Sequence, residues 1–157
     1  MNETSQIRSR LSAHITGGEA FMTLDELLKE FPFDKLGNRP YDLPYSFYEL
    51  FYHIRFTQKD ILDYCTSKEY KEQSWPKDYW PEVKAPWDEM VWNKLKEEYF
   101  RERELFIEHL QDPETDLLAI VKKGTSHTFL REVLLVIEHT AYHTGQLQII
   151  RRLLKIQ

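Results

Sequence analysis

Ile137-Glu138-His139-Thr140-Ala141-Tyr142-His143-Thr144-Gly145-Gln146 is the stretch whose reading decides the fold. It joins an apolar run, Val133 to Ile137, to Leu147, Ile149, Ile150, Leu153 and Leu154, with no proline between them. Leu135, Val136, His139, His143, Leu147, Ile150 and Leu154 recur at i, i+3 or i+4, the spacing of one face of an α-helix. Thr128 supplies an N-cap, so a final helix is predicted from about Phe129 to Ile156. On it His139 and His143 stand about 40° apart around the axis and roughly 6 Å apart along it, so both imidazoles can address one metal ion. The pair is half of a metal site, and it is equally the pattern of two surface or hydrogen-bonded core histidines.

Upstream the same period recurs. Asp88 to about Gln111 reads as a helix with Trp92, Leu95, Tyr99, Phe106 and Leu110 inward. Its charge run from Lys94 to Glu104 is a solvated face with i, i+4 pairs. Asp112-Pro113 ends it, and Leu117 to Val121 is either one helical turn or a short extended piece. Ser46-Phe47-Tyr48-Glu49 is a capping box opening a helix to about Cys65, with Phe47, Leu50, Phe51, Ile54, Ile61, Leu62 and Cys65 as its stripe. His53 lies about 60° around from Leu50, at the margin of the core face, on a polar row with Ser46, Glu49, Thr57 and Asp60. A second box, Thr23-Leu24-Asp25-Glu26, opens a brief helix with Leu24, Leu27, Leu28 and Phe31, which Pro32 stops. Ile7, Leu11 and Ile15 mark a first helix from about Thr4 to Thr16, ended by Gly17-Gly18.

Between Thr66 and Trp87 no period holds, and Trp75-Pro76, Tyr79-Trp80-Pro81 and Pro86-Trp87 fall there. A connection this long and aromatic either packs over a cleft or covers an exposed end of the core. With no alternating strand pattern, the chain is predicted to be all-α: a four-helix bundle with short extra helices and a long aromatic loop, one domain over 1–157.

Composition narrows the functional classes. The chain has 157 residues, 41% hydrophobic and 30% charged, which is globular rather than disordered. The net charge of -5, with no basic run longer than Lys122-Lys123 or Arg151-Arg152, argues against a nucleic-acid partner. The single cysteine, Cys65, excludes an intrachain disulfide. Neither a signal-peptide pattern nor a run near the roughly 18 apolar residues of a membrane span is present, so no membrane association and a cytoplasmic location are expected.

In a bundle, facing helices project side chains into a shared interior, so His53 can complete a His-His-His set with His139 and His143. Three neutral imidazoles suit zinc, nickel, iron or cobalt and leave a position open for water or substrate. Other metal and nucleotide chemistries fit less well. Thr140 stands where a His-Glu-x-x-His protease needs its glutamate, and there is no Glu-x-x-His pair, Gly-rich phosphate loop or Gly-x-Ser-x-Gly elbow. His14, His109 and His127 have no partner at metal spacing and read as surface or capping residues.

A histidine in the second main helix followed far downstream by His139-x-x-x-His143-x-Gly145-Gln146 resembles the DinB-like superfamily of DNA-damage-inducible four-helix bundles, which includes bacillithiol- and other thiol-dependent transferases. Leu43-Pro44-Tyr45-Ser46 ahead of His53 and the tryptophan- and proline-rich middle loop belong to the same pattern. The resemblance implies up-down-down-up connectivity, with which the long Gly17 to Tyr45 connection agrees, and a homodimer. It implies one divalent metal ion, zinc or nickel first and iron or manganese as alternatives, on His53, His139 and His143. A low-molecular-weight thiol or other small molecule would bind above it. The aromatic loop, Trp80 included, and Gln146 would line the pocket; Gln146 reads equally as a helix-interface hydrogen bond. Gly145 would let a neighbouring helix approach closely.

The expected function is therefore a metal-dependent thiol S-transferase or hydrolase acting on a small electrophile, with Asp60 or Glu138 orienting an imidazole. The alternative is a non-catalytic metal-binding stress-response or interaction protein. A structural dimer with fortuitous histidines is the third reading.

Overall fold

Capping chemistry sets where the helices begin. Thr23 Oγ1 accepts the Glu26 N–H while a Glu26 carboxylate oxygen accepts the Thr23 N–H at 2.8 Å, and α2 (Leu24–Glu30) starts there. Ser46 and Glu49 repeat the exchange at the head of α3 (Phe47–Thr66). Asp88 accepts from Val91 N–H to start α4 (Glu89–Gln111), and Thr128 from Arg131 N–H to start α5 (Phe129–Leu153). The first helix, α1, spans Glu3–Thr16, and Gly17 ends it in the left-handed region at φ 81°, where a residue without Cβ is unstrained. The computed structural model describes residues 3–17 and 19–156; Gly18, the second glycine of the expected stop, lies outside them.

The described residues contain five α-helices, three short 3-10 turns and no strand, an all-α bundle as expected. Two boundaries differ from the sequence reading. The last helix ends at Leu153 rather than near Ile156, because Lys155 turns left-handed at φ 55°. The Lys155 and Ile156 N–H groups then return to the Arg152 and Arg151 carbonyls, a Schellman closure made without glycine. The piece at Leu117 to Val121 resolves as turn plus extended chain, with one isolated bridge between Ile120 and Thr128. Its carbonyls at Leu117 and Ala119 take the N–H groups of Leu130 and Phe129, which would otherwise stand unpaired at the start of α5.

Four long helices form the bundle: α3 packs on α4 and α5, and α1 packs on the same two. Contacts climb α3 and α4 together. Phe51 meets Trp92 with ring centroids 5.1 Å apart and Tyr99 at 5.3 Å, and one turn on Arg55 pairs with Glu102 at 2.5 Å. These two helices therefore run in the same direction, and residues 67–88 must carry the chain back along the length of α3 to start α4. The long loop is thus a consequence of connectivity.

The core divides into two apolar clusters. One gathers α2, the first half of α3, Trp92, Leu95 and Tyr99 of α4, and Leu147 and Ile150 of α5. The other gathers Ile15, Ile61, Leu62, Phe106, Leu110, Phe129, Val133 and Val136. Where α3 and α5 pass from one cluster to the other, buried or half-buried polar side chains gather: His53, Gln58, His139, His143 and Thr144. Glu102 and Arg55 bridge α4 to α3 at the same level.

Gly37 holds the loop's far end. A Cβ on Gly37 would come 2.7 Å from the Ala85 Cβ, and Ser46 Oγ donates to the Lys84 carbonyl nearby at 2.7 Å. Gly37→Ala is expected to lower the unfolding free energy by about 1–3 kcal/mol, since a backbone segment has to shift to admit the methyl. Thermal or urea unfolding checks this, and an unchanged midpoint would show the approach to be loose. Gly145 has the opposite character and corrects the expectation for it: it is exposed on α5, with nothing within 4 Å of a Cβ placed there, so no helix among the described residues approaches it closely.

Candidate metal site

His53 comes from the middle of α3, and His139 and His143 come from successive turns of α5, the helix that packs on it. The seam brings the three rings together, with centroid separations of 4.8, 4.8 and 4.5 Å. One ring nitrogen from each lies within 4.8 Å of the others, close enough for a single ion.

The hydrogen bonds decide which nitrogens are free. His53 Nδ1 lies 3.1 Å from the Tyr79 carbonyl, which can only accept, so Nδ1 carries the proton and Nε2 keeps its lone pair. His143 Nδ1 lies 2.5 Å from Gln146 Oε1, which fixes the same tautomer there. His139 Nε2 sits 3.0 Å from His53 Nε2, and because that atom is an acceptor, His139 donates. His53 Nε2 and His143 Nε2 therefore keep their lone pairs, and His139 Nε2 gains one once its proton moves to Nδ1.

Burial keeps the rings uncharged. It pushes His53 down to about 4, against the Tyr79 carbonyl, which raises it. It pushes His139 down to about 3, with His143 and His53 adding to the shift, and it also lowers His143, where the Gln146 bond opposes it. Uncharged imidazoles at neutral pH need lose no proton to bind an ion.

His53 is more buried than its place at the margin of the stripe suggests: it is 2% exposed. The aromatic loop is the reason. Trp80 stacks on its ring at 4.3 Å with planes 5° apart, and Trp75 and Tyr79 stand at 6.1 and 6.3 Å. The other candidate residues sort as follows. Gln146 orients His143. Asp60 touches no imidazole; its carboxylate takes the hydroxyls of Tyr70 at 3.0 Å and Tyr79 at 2.6 Å. Glu138 is exposed, and no hydrogen bond joins it to an imidazole among the described residues. His127 bonds Tyr64 Oη at 2.8 Å, His109 packs edge-on to Phe129 at 4.8 Å, and His14 is exposed at the end of α1. The Tyr79 carbonyl escaped the sequence reading, since a backbone acceptor carries no residue signature.

A helical bundle with a histidine triad buried between two of its helices defines the class of protein. The family model of the DinB superfamily matches residues 18–147, and the chain belongs to that superfamily, which includes metal-binding proteins. Comparison with curated proteins returned no match, and neither did comparison with solved structures.

Cys65 stands apart from the triad, packed against the second apolar cluster. Burial, with Glu132 adding to it, pushes its thiol up to about 12, so the thiolate is scarce until the pH approaches that value. Alkylation by iodoacetamide at pH 8 is expected to be at least about tenfold slower in the folded chain than in denaturant, the rate rising with pH throughout. Equal rates would show the thiol to be open and ordinary.

Proposed function

We propose that this protein binds one divalent metal ion through the Nε2 atoms of His53, His139 and His143, and acts as a metal-dependent enzyme on a low-molecular-weight thiol and a small electrophile, or on water in place of the thiol. The observation that carries the metal reading is the pair of outer bonds. Tyr79 O and Gln146 Oε1 occupy the Nδ1 atoms of His53 and His143 and leave both Nε2 atoms with a lone pair, that of His53 directed at His139. An all-imidazole set suits zinc or nickel first, with iron or manganese as alternatives. Such an ion supplies Lewis acidity that lowers the pKa of a thiol or water beside it. The chain's own part is to orient the rings and to hold Trp80 and Trp75 over His53 so that bulk water is kept back. Because Cys65 is held protonated in another part of the core, a thiol nucleophile has to enter as a cosubstrate.

The stacking of Trp80 on His53 favours a second reading, a non-catalytic metal-binding protein whose ion is sealed under the loop. A cobalt-loaded sample separates the two: a change in its visible spectrum on adding a small thiol supports the enzyme, and an unchanged spectrum supports the sealed site.

Elemental analysis of untagged protein is expected to show about one metal per chain in the parent and little in the His139→Ala, His143→Ala double variant. No binding after zinc, nickel, manganese and iron are offered in turn would overturn the metal reading.

We further propose a homodimer formed through the outer face of α5. Leu134, Tyr142, Ile149 and Leu153 are exposed there within one quadrant or so of the helix, with Gly145 among them. Glu138 and Arg152 lie seven residues to either side of Gly145. An antiparallel pairing of two copies about that glycine would therefore set each glutamate opposite the other copy's arginine. Ile149→Asp is expected to shift sedimentation from dimer to monomer with helicity unchanged; a parent that is already monomeric at tens of micromolar would rule the interface out.

A further inference from the structure

Tyr79 touches the histidine triad and Asp60 at once. Its residue closes the short 3-10 turn Lys77–Tyr79, and its carbonyl oxygen takes His53 Nδ1–H at 3.1 Å. Its hydroxyl donates to Asp60 Oδ2 at 2.6 Å, and the other carboxylate oxygen takes the Tyr70 hydroxyl at 3.0 Å. His53 and Asp60 are seven residues apart on α3, so they lie about 20° apart around the helix and roughly 10 Å apart along it. Tyr79 therefore lies lengthwise on α3, fastened at its backbone end to one residue and at its phenol end to the other. Its ring is packed at 5.1 Å against both Phe56 and Trp75.

From this geometry we infer that Asp60 is a positioning residue for the triad, acting on His53 through Tyr79. The two tyrosine hydroxyls anchor both arms of the loop, at Tyr70 and at Tyr79, to one carboxylate. With that anchor in place the Tyr79 carbonyl stays where it can accept from Nδ1, and the His53 proton is kept off Nε2, the atom that faces His139. Without it, the His53 bond to the Tyr79 carbonyl has only the ring contacts of Tyr79 and Trp80 beside it to keep the loop against α3, and ring contacts do not distinguish the two tautomers. Trp80, next along the chain, moves with Tyr79, so the same anchor sets the ring stacked on His53. The inference rests on the metal reading only for its affinity readout.

The test uses the full chain with 15N-labelled imidazoles, and zinc alone as probe. In the metal-free parent at pH 7, His53 is expected as the Nδ1–H tautomer. Tyr79→Phe, which removes one oxygen from a half-buried ring, and Asp60→Ala are each expected to bring in the Nε2–H form. Each should also weaken zinc binding by about tenfold or more, the usual scale for partners that orient a ligand. The double variant should fall no further than Asp60→Ala alone, because both changes cut one connection. Asp60→Asn, which keeps an acceptor for the Tyr79 hydroxyl, should recover most of both effects. A purely structural role would lower the melting temperature without moving the tautomer. An unchanged His53 tautomer in Tyr79→Phe and Asp60→Ala overturns the inference. If the parent binds no zinc, the metal reading fails separately, and the tautomer measurement still decides the role of Asp60.

Discussion

Three imidazoles, two buried and one half-buried, set side by side in the seam of α3 and α5 are the constraint on which the rest of the structure depends. An unpaired polar group in such a place destabilises by a few kcal/mol, and a charged one by more. The rings meet this by staying neutral and by binding in series: His53 to a loop carbonyl, His143 to Gln146, and His139 to His53. Removing any one partner strands a nitrogen in the seam. The aromatic loop is therefore part of the core's hydrogen bonding as well as a cover over it.

Connectivity puts the loop in position to do this. Parallel neighbours such as α3 and α4 need a connection about as long as the helices themselves, roughly 30 Å for the twenty residues of α3. The returning chain has to lie somewhere on the bundle, and its aromatic side chains bury best against α3. It is fastened in stages: Tyr70 and Tyr79 to Asp60, Tyr79 O to His53, and Lys84 O to Ser46 beside the Gly37 approach. The last of these joins the end of the loop to the N-cap that starts α3, so the helix carrying His53 and the cover over it share an anchor.

What was legible in the sequence was what short-range chemistry decides. Thr23 with Glu26, Ser46 with Glu49, Asp88 and Thr128 announce helix starts because cap and capped group lie within three residues. The His139–His143 pair is legible because four residues on a helix return to the same face. The burial of His53 was not, because its own helix leaves it at a boundary and a segment more than twenty residues away covers it. Gly145 misled as to its neighbour within the chain, because a small residue in a helix suggests close packing, whereas the helical period sets it on the outer face with Tyr142 and Ile149. Gln146 was ambiguous for a different reason: three residues after His143 it can reach that ring, but only the structure shows which nitrogen it takes. Lys155 stops α5 in a conformation that glycine would have advertised.

The donor set also bears on what would react there. Three neutral imidazoles do nothing to balance a divalent charge, and no carboxylate belongs to the cluster among the described residues. On α3, Glu49 one turn before His53 is paired with Arg39, and Asp60 two turns after it spends both its oxygens on tyrosines. A cation in this seam, under an indole and away from bulk water, would draw the missing negative charge from whatever small ligand reaches it. A thiolate meets that need better than a neutral molecule, since it brings the charge and is itself the reactive form of a thiol. Nor does the chain compete for the role, with its one thiol held protonated in the other half of the core. An all-histidine triad is in this respect better matched to a thiol entering from solution than a site with a carboxylate ligand would be.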